Sequence, residues 1–492
     1  MRCSAAAILA LAGLALSSLA LDGCASGPKP RPDLRLPTAY EAPPGPPAGA
    51  LALDRWWLVF ADPQLDALID DALVANPDAK TAAARLREAR ANRALELNRF
   101  LPQGDINASG SHTQTTQLSG TAFNIPGLVV PGLTFSGPSD NYAANFNVSW
   151  ELDLFGRTLV ATRAANAQVA AARFDYEGAR ASLAAQTADA YFQVRGLAIQ
   201  LADAQETVRI DQDLYQLADR RAKAGLAAGA DADRAAGDLA RAQAQAEALT
   251  AELQAEKRTL LILAGRTYAP TASIDAPPDV GRPPAIPASL PSDLLRRRPD
   301  VRSAEAQVAT ALGQQDLARL AFLPTFTLKP GVGWTKTIEN DGVTGLGTWT
   351  LGGAIAQPIL SIPKLMAQLH VQNAQTEEAV AAYEKTVQTA FGEAEAALVR
   401  LDADRRRVAI LTDGEVRAHR AYAASRLGYS RGLNDLQTTL SAETAWRATR
   451  TELTSAQVDA VRQAVTAFKA IGGGWPGAAA PPTAQVAKPP TG

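Results

Sequence analysis

The stretch YAANFNVSWELDLFGR, residues 142–157, decides how the rest of the chain is read. From Tyr142 to Leu154 the apolar positions are Tyr142, Ala144, Phe146, Val148, Trp150, Leu152 and Leu154. The positions between them are Ala143, Asn145, Asn147, Ser149, Glu151 and Asp153. A period of two puts the two sets on opposite faces of a β-strand. A second stretch repeats the pattern: Phe326, Leu328, Val332 and Trp334 alternate with Thr325, Thr327, Lys329, Gly331, Gly333 and Thr335. Trp334 and Trp349 are expected toward strand ends, where aromatic rings sit at a membrane interface. Two structures need such strands. A membrane β-barrel turns apolar side chains to lipid and polar ones to a lumen, which would make Asn145, Asn147, Glu151 and Asp153 lumen residues. A soluble sheet with one buried face fits the pattern equally well.

What surrounds the strands separates the two readings. No proline occurs between Pro138 and Pro270, or between Pro363 and Pro476, and both runs are dense in Ala, Gln, Glu, Arg and Leu. They predict helices from Arg157 to about Lys223 and on to Leu263, and from Lys364 to about Ser430 and on to Phe468. The breaks fall at Gly225 and Gly229 and at Gly432. A helix of some 65 residues is about 100 Å long, too long for an ordinary globular domain. The plan is duplicated. Pro77 and Pro102 bracket one short helix, and Pro299 and Pro324 bracket another of the same length. Tyr176 matches Tyr383 and Gly225 matches Gly432, both 207 positions apart. Each half thus reads as short helix, strand, loop, strand, long helix, turn, helix. Two strands per half give four per chain. Four cannot close a barrel, and open sheet edges are not tolerated in lipid. Several copies must therefore share one barrel, and three would supply twelve strands, an even number in the known range.

The N-terminus predicts export. Arg2 precedes an apolar run from Ala5 to Ala20 that is too short for a lasting membrane span. It ends in Leu21-Asp-Gly-Cys24, which resembles a bacterial lipobox. The chain has two cysteines, Cys3 and Cys24, and removal of a signal peptide over 1–23 leaves only Cys24. Lipidation gives that lone cysteine a role, and several acyl chains anchor a protein where one does not. A proline-rich tether over 24–50 follows. The remaining divisions are a first repeat at 51–265 (strand pair about 103–154, helical hairpin about 157–264) and a linker at 266–291. A second repeat covers 292–470 (strand pair about 325–360, hairpin about 364–470), and a tail covers 471–492.

With 48 basic and 50 acidic residues, the formal charge of −2 argues against nucleic acid as a partner. No catalytic constellation is present. His112, His370 and His419 are scattered, and no HExxH, CxxC, Walker or GxSxG motif occurs. Asp231-Ala-Asp233 lacks the remaining ligands of a calcium loop. Neither metal, cofactor nor enzymatic activity is expected.

Three further motifs carry a family resemblance. Trp150-Glu-Leu-Asp-Leu-Phe-Gly-Arg157, Leu290-Pro-Ser-Asp-Leu-Leu-Arg-Arg-Arg-Pro-Asp300 and Ile471-Gly-Gly-Gly-Trp475 stand in order around the duplicated plan. With them the chain resembles the TolC/OprM-like outer-membrane factors, in their lipoprotein branch, over nearly its whole length. The resemblance implies a homotrimer at the outer membrane of a Gram-negative bacterium: a twelve-stranded β-barrel continued by a long periplasmic α-helical barrel. An equatorial belt would form from Arg31 to about Asp71, Thr267 to Pro291, and the tail. It implies a passive exit duct for drugs or other small molecules, served by a periplasmic adaptor and a proton-driven inner-membrane pump. Gly225, Leu226, Gly432 and Leu433 would form the tip on which the adaptor docks. Relatives often place an acidic ring beyond the second turn, where this chain has Ser441, with Gln437 one turn earlier. Asp435, or Asp231 and Asp233, would have to supply the carboxylates. Two other readings are a duct for type I secretion of peptides or proteins, and a periplasmic adaptor or scaffold lipoprotein. The internal repeat disfavours the latter.

Overall fold

The computed structural model of the chain describes residues 30–43, 53–116, 123–125, 128–130, 137–287, 290–339 and 342–474. The expected signal peptide, Cys24, both ends of the tether, Trp475 and the rest of the tail lie outside these residues. The chain forms two compact units, both assembled from discontinuous segments. Of the described residues, one comprises those within Met1–Arg31, Ala89–Val169 and Gln307–Ala379, and the other those within Pro32–Glu88, Ala170–Ala306 and Val380–Gly492.

The first unit holds the sheet. Strands β1 (Gln103–Thr115), β4 (Gly137–Leu152), β5 (Thr325–Glu339) and β6 (Gly342–Ala356) are antiparallel, in the order β1-β4-β5-β6. A small ribbon of β2 (Phe123–Ile125) and β3 (Leu128–Val130), which the alternation did not announce, lies in the β1–β4 connection. The register sorts the two faces. Ile106, Phe146, Val332 and Trp349 stand side by side across the four strands. One position away in register, the rows read Asn107-Asn145-Gly333-Thr348 and Asp105-Asn147-Gly331-Thr350. In these central rows one face is apolar and the other polar. The glycines serve the polar face: a Cβ on Gly331 would come within 3.1 Å of Asn147 Oδ1.

If the sheet covered a core of its own chain, the apolar row would be buried. Instead Ile106 is 77% exposed, Phe146 43%, Val332 56% and Trp349 79%. None of the described residues covers this face. One expectation is corrected. Trp334 and Trp349 lie in the interior of β5 and β6, not toward their ends, because both strands run on through the glycine- and threonine-rich residues beyond the alternating core. Asp153 is likewise not a strand residue, since β4 ends at Leu152.

The helices are α1 (Pro63–Ala75), α2 (Pro77–Asn98), α3 (Arg157–Lys223), α4 (Gly229–Leu263), the short α5 (Leu294–Arg297), α6 (Pro299–Leu320), α7 (Ile362–Ser430) and α8 (Leu436–Ala470). The 22-residue pair α2 and α6, the 67- and 69-residue pair α3 and α7, and the 35-residue pair α4 and α8 make the duplication explicit. Among the described residues, no helix is long and apolar enough to cross a membrane.

The second unit is cored by its few aromatic residues. Trp56 stacks on Phe468 at 5.7 Å, Phe60 meets Phe192 at 4.9 Å, and Tyr191 packs beside Phe192. Asp62 caps α1 by accepting from the Gln64 and Leu65 N–H groups, and its other oxygen accepts from Tyr191 and Arg195, both at 2.6 Å. Much of the rest of the core is alanine: Ala184, Ala188, Ala394, Ala397, Ala460, Ala464 and Ala467 are buried. Gly196 marks how closely α3 and α8 approach, since a Cβ there would lie 2.7 Å from a Val458 methyl.

Candidate functional site

At the junction of β4 and α3, the motif over 150–157 divides the work among its residues. Trp150 donates its indole N–H to the Phe100 carbonyl at 3.2 Å. Asp153 accepts from the N–H groups of Arg157 and Thr158 at 2.8 and 2.9 Å, satisfying first-turn donors of α3. Gly156 takes φ +77, which lets the chain turn from strand to helix. Arg157 then reaches back. Its guanidinium donates to Glu151 at 2.8 Å and to the carbonyls of Leu320 and Leu323, the end of α6, at 2.9 and 2.8 Å. Of the four residues expected in a lumen, Asn145 and Asn147 lie on the polar face of β4. Glu151 is engaged by Arg157, and Asp153 serves as a cap. Arg157→Ala is expected to cost about 1.5–3 kcal/mol, the worth of hydrogen bonds to a charged group. Arg157→Lys should recover only part, because an ammonium cannot serve three acceptors with one planar fork. Loss of β-sheet circular dichroism on heating in detergent measures both, and an unchanged midpoint for Arg157→Ala would remove this role.

The two helix turns of the second unit are built alike. At the end of α3, Gly225 has φ +70, Gly225 N donates to Ala222 O, and Leu226 N donates to Arg221 O. At the end of α7, Gly432 has φ +78, Gly432 N donates to Tyr429 O, and Leu433 N donates to Gly428 O. Both are glycine-terminated caps of the Schellman type. The following leucines point outward, Leu226 71% exposed and Leu433 76%. Arg221 joins the turns: its guanidinium donates to Tyr429 O at 2.9 Å and sits over the Tyr429 ring.

Beyond the second turn, Asp435 is the N-cap of α8 and accepts from Thr438 N at 2.7 Å. Hydrogen bonding from the Thr438 side chain first, and from its N–H second, holds the Asp435 pKa below the ordinary carboxylate value. Gln437 and Ser441, one turn apart, are both exposed, while Leu436, Thr439, Leu440 and Glu443 turn inward. Asp231 lies in the first turn of α4 and is half-buried, and Asp233 is exposed. His112 pairs with Asp140 across β1 and β4 at 2.7 Å, and His419 packs against Trp446. Among the described residues no His, Cys, Asp and Glu cluster could hold a metal.

A second repeated device escaped the sequence reading. Where α4 ends, Gly265 has φ +71 and packs on the backbone of Ala75 and Asn76. Asn76 Nδ2 donates to Leu263 O at 2.9 Å. Where α8 ends, Gly472 has φ +80 and packs on Arg297 and Arg298. Arg298 Nη1 donates to Ala470 O at 3.2 Å. The mid-chain and C-terminal motifs are thus two sides of one contact. The residue just before the helix-opening proline was the available signal, but Asn76 and Arg298 share no chemistry that a sequence comparison of the halves would pair.

Comparison with known proteins agrees with this architecture. Residues 68–266 and 290–473 match the family described as outer membrane efflux protein. The pyoverdine export outer membrane protein OpmQ of Pseudomonas putida is 29% identical over 93% of this chain and 96% of its own length. The toluene efflux pump outer membrane protein TtgC of the same species is 27% identical over 94% and 96%. Among solved structures, the outer-membrane channel OprN superposes with a TM-score of 0.76 at 27% identity, over 91% of this chain and 99% of its own. The MtrE outer-membrane channel of Neisseria gonorrhoeae does so at 0.73 and 26%, over 92% and 99%. With both repeats matched, the chain belongs to the outer membrane efflux protein family and is an efflux duct of the outer membrane.

Proposed function

We propose that three copies of this chain close one twelve-stranded barrel across the outer membrane, continued by a periplasmic barrel of helices. The observation that carries this is the sheet itself. Its four strands are 13, 16, 15 and 15 residues long, enough to span a bilayer at a tilt. It has free edges at β1 and β6, an exposed apolar face and a polar opposite face. Such edges have no place in lipid unless β6 of one copy pairs with β1 of the next. Asn145 and Asn147 then face the lumen.

The duct acts passively and changes no bond in its cargo. It completes a tripartite exporter with a periplasmic adaptor, received at Gly225, Leu226, Gly432 and Leu433, and a proton-driven inner-membrane pump. Relatives named for pyoverdine export and toluene efflux support small molecules as cargo. Gln437 and Ser441, exposed on one face of α8, line the constriction in place of an acidic ring. Cys24 carries the lipid, which intact-mass measurement of the mature chain would reveal as added acyl groups.

Light scattering of protein extracted from outer-membrane fractions tests the assembly. The expected mass is that of a trimer. A water-soluble periplasmic monomer would end this reading and leave the lipidated scaffold.

A further inference from the structure

Two carboxyl side chains are buried where α3 meets α8, near the turns. Asp211 on α3 is 2% exposed and Glu443 on α8 is fully buried. They lie within hydrogen-bonding reach of each other. Among the described residues, Arg447 is the cation within 4 Å of both. Arg447 Nη1 is 3.5 Å from Asp211, and Arg447 Nε is 3.5 Å from Glu443. Both contacts are longer than a charge-assisted hydrogen bond. Asp238 on α4 acts on both members of the pair and Arg241 on Asp211, while Tyr422 on α7 feels both carboxyls and Arg426. The Tyr422 hydroxyl is buried, and its ring stacks on Trp446 at 5.2 Å.

Two carboxylates held together away from water cannot both ionise against one guanidinium. If one keeps its proton, it can donate to the other, and the remaining single charge is balanced by Arg447. We propose that Asp211 and Glu443 share one proton and so form a proton-dependent clasp, which holds the first turns of α8 against α3 and loosens when the proton leaves. The clasp acts on the segment that carries Gln437 and Ser441. Its consequence for flow rests on the duct reading, whereas the helix contact itself does not.

The direction follows from burial. Burial is the largest influence on Glu443 and, despite Arg447, raises its pKa from an ordinary 4.5 to about 8. A carboxyl whose folded pKa exceeds its unfolded value supports folding fully below the unfolded value. That support weakens as the pH rises from about 4.5 and is gone above about 8. Tyr422 does not intrude, since burial pushes its own pKa up to about 12.

Trp446 reports on the contact. It is 5% exposed, one turn beyond Glu443. Its quenching by acrylamide, with the signal of a Trp446→Phe protein subtracted, is to be followed in the detergent-extracted full chain from pH 6 to pH 10. In the wild type, quenching is expected to rise as the pH passes about 8. Glu443→Gln, a permanent stand-in for the protonated acid, is expected to stay at the low level throughout. Asp211→Asn leaves Glu443 and Arg447 as a simple ion pair and should abolish the rise in the same way. A wild type without a transition overturns the clasp, as does a transition of equal size and position in either variant. If one variant does not assemble, the other and the wild-type curve decide. Light scattering on the same samples reports separately whether the assembled duct exists.

Discussion

Gly472→Ala is expected to lower the stability of the second unit by about 2–4 kcal/mol, and Gly265→Ala by a similar amount, more than most single methyl additions. Two costs combine. At φ +80 and +71 both residues sit in the left-handed region, where a Cβ costs roughly 1–2 kcal/mol. The added methyl also has nowhere to go. On Gly472 it would lie 2.7 Å from Arg297 Cβ and 3.0 Å from the Arg297 carbonyl carbon. On Gly265 it would lie 2.6 Å from Ala75 Cβ and 2.9 Å from the Ala75 carbonyl carbon. Backbone atoms cannot rotate aside as the end of a long side chain can, so the helix end must shift, which typically costs ~1–3 kcal/mol. Gly225→Ala separates the two costs. Its φ is +70, yet nothing lies within 4 Å of the added Cβ in the chain, so it bears the dihedral cost alone. Thermal loss of helical circular dichroism in detergent, at matched scan rates because such unfolding is often irreversible, ranks the three. Equal midpoints for Gly472→Ala and Gly225→Ala would show that close packing contributes nothing.

These positions also mark what the sequence could disclose. Periodicity revealed the strands and long helices because alternation and proline-free runs are local properties. The paired lengths of α2 and α6, and of α4 and α8, were legible as a repeat for the same reason. The face on which each strand residue lies followed from parity, once register tied Ile106, Phe146, Val332 and Trp349 into one row. The exposure of that row did not follow, since a buried sheet face is written with the same letters. Contacts between distant segments stayed hidden too. Arg157 could be recognised as part of a motif, but not as a donor to Leu320 and Leu323. Nothing in the sequence around Glu443 marked it, because its neighbour Asp211 comes from α3. Asp435 shows a different limit. The sequence offers it as a candidate carboxylate of a pore ring, and the structure makes it the N-cap of α8, bonded to Thr438 N.

Arg298→Met is expected to show how differently the two repeats solve one problem. Arg298 is only 9% exposed, yet it serves four acceptors. Nε and Nη2 donate to the two Asp300 oxygens at 3.0 and 2.6 Å, Nη2 also reaches Glu393 at 2.7 Å, and Nη1 reaches Ala470 O. Methionine fills similar space and removes every donor. Both carboxylates are about half exposed, so water screens part of the loss, and about 2–3 kcal/mol is expected. The acid limb of the stability profile gives the sharper signature. Burial alone would raise the Asp300 pKa, but the hydrogen bonds and charge of Arg298, together with backbone N–H donors including that of Val301, outweigh it and hold the carboxyl below its ordinary 3.8. A lowered folded pKa gives stability that is complete above the unfolded value and drains away as pH falls through the folded one. The wild type should therefore lose stability below about pH 4 in a step that Arg298→Met lacks, with the two proteins converging in strong acid. Asn76, in the same place in the first repeat, provides the contrast. Asn76→Ala removes a donor to Leu263 O and an acceptor for Asp78 N, both neutral bonds, so about 1 kcal/mol per bond should be lost at every pH. Urea unfolding at pH 3.5, 5 and 7 compares them, and an acid-dependent effect at Asn76 or a pH-independent one at Arg298 would refute the assignment.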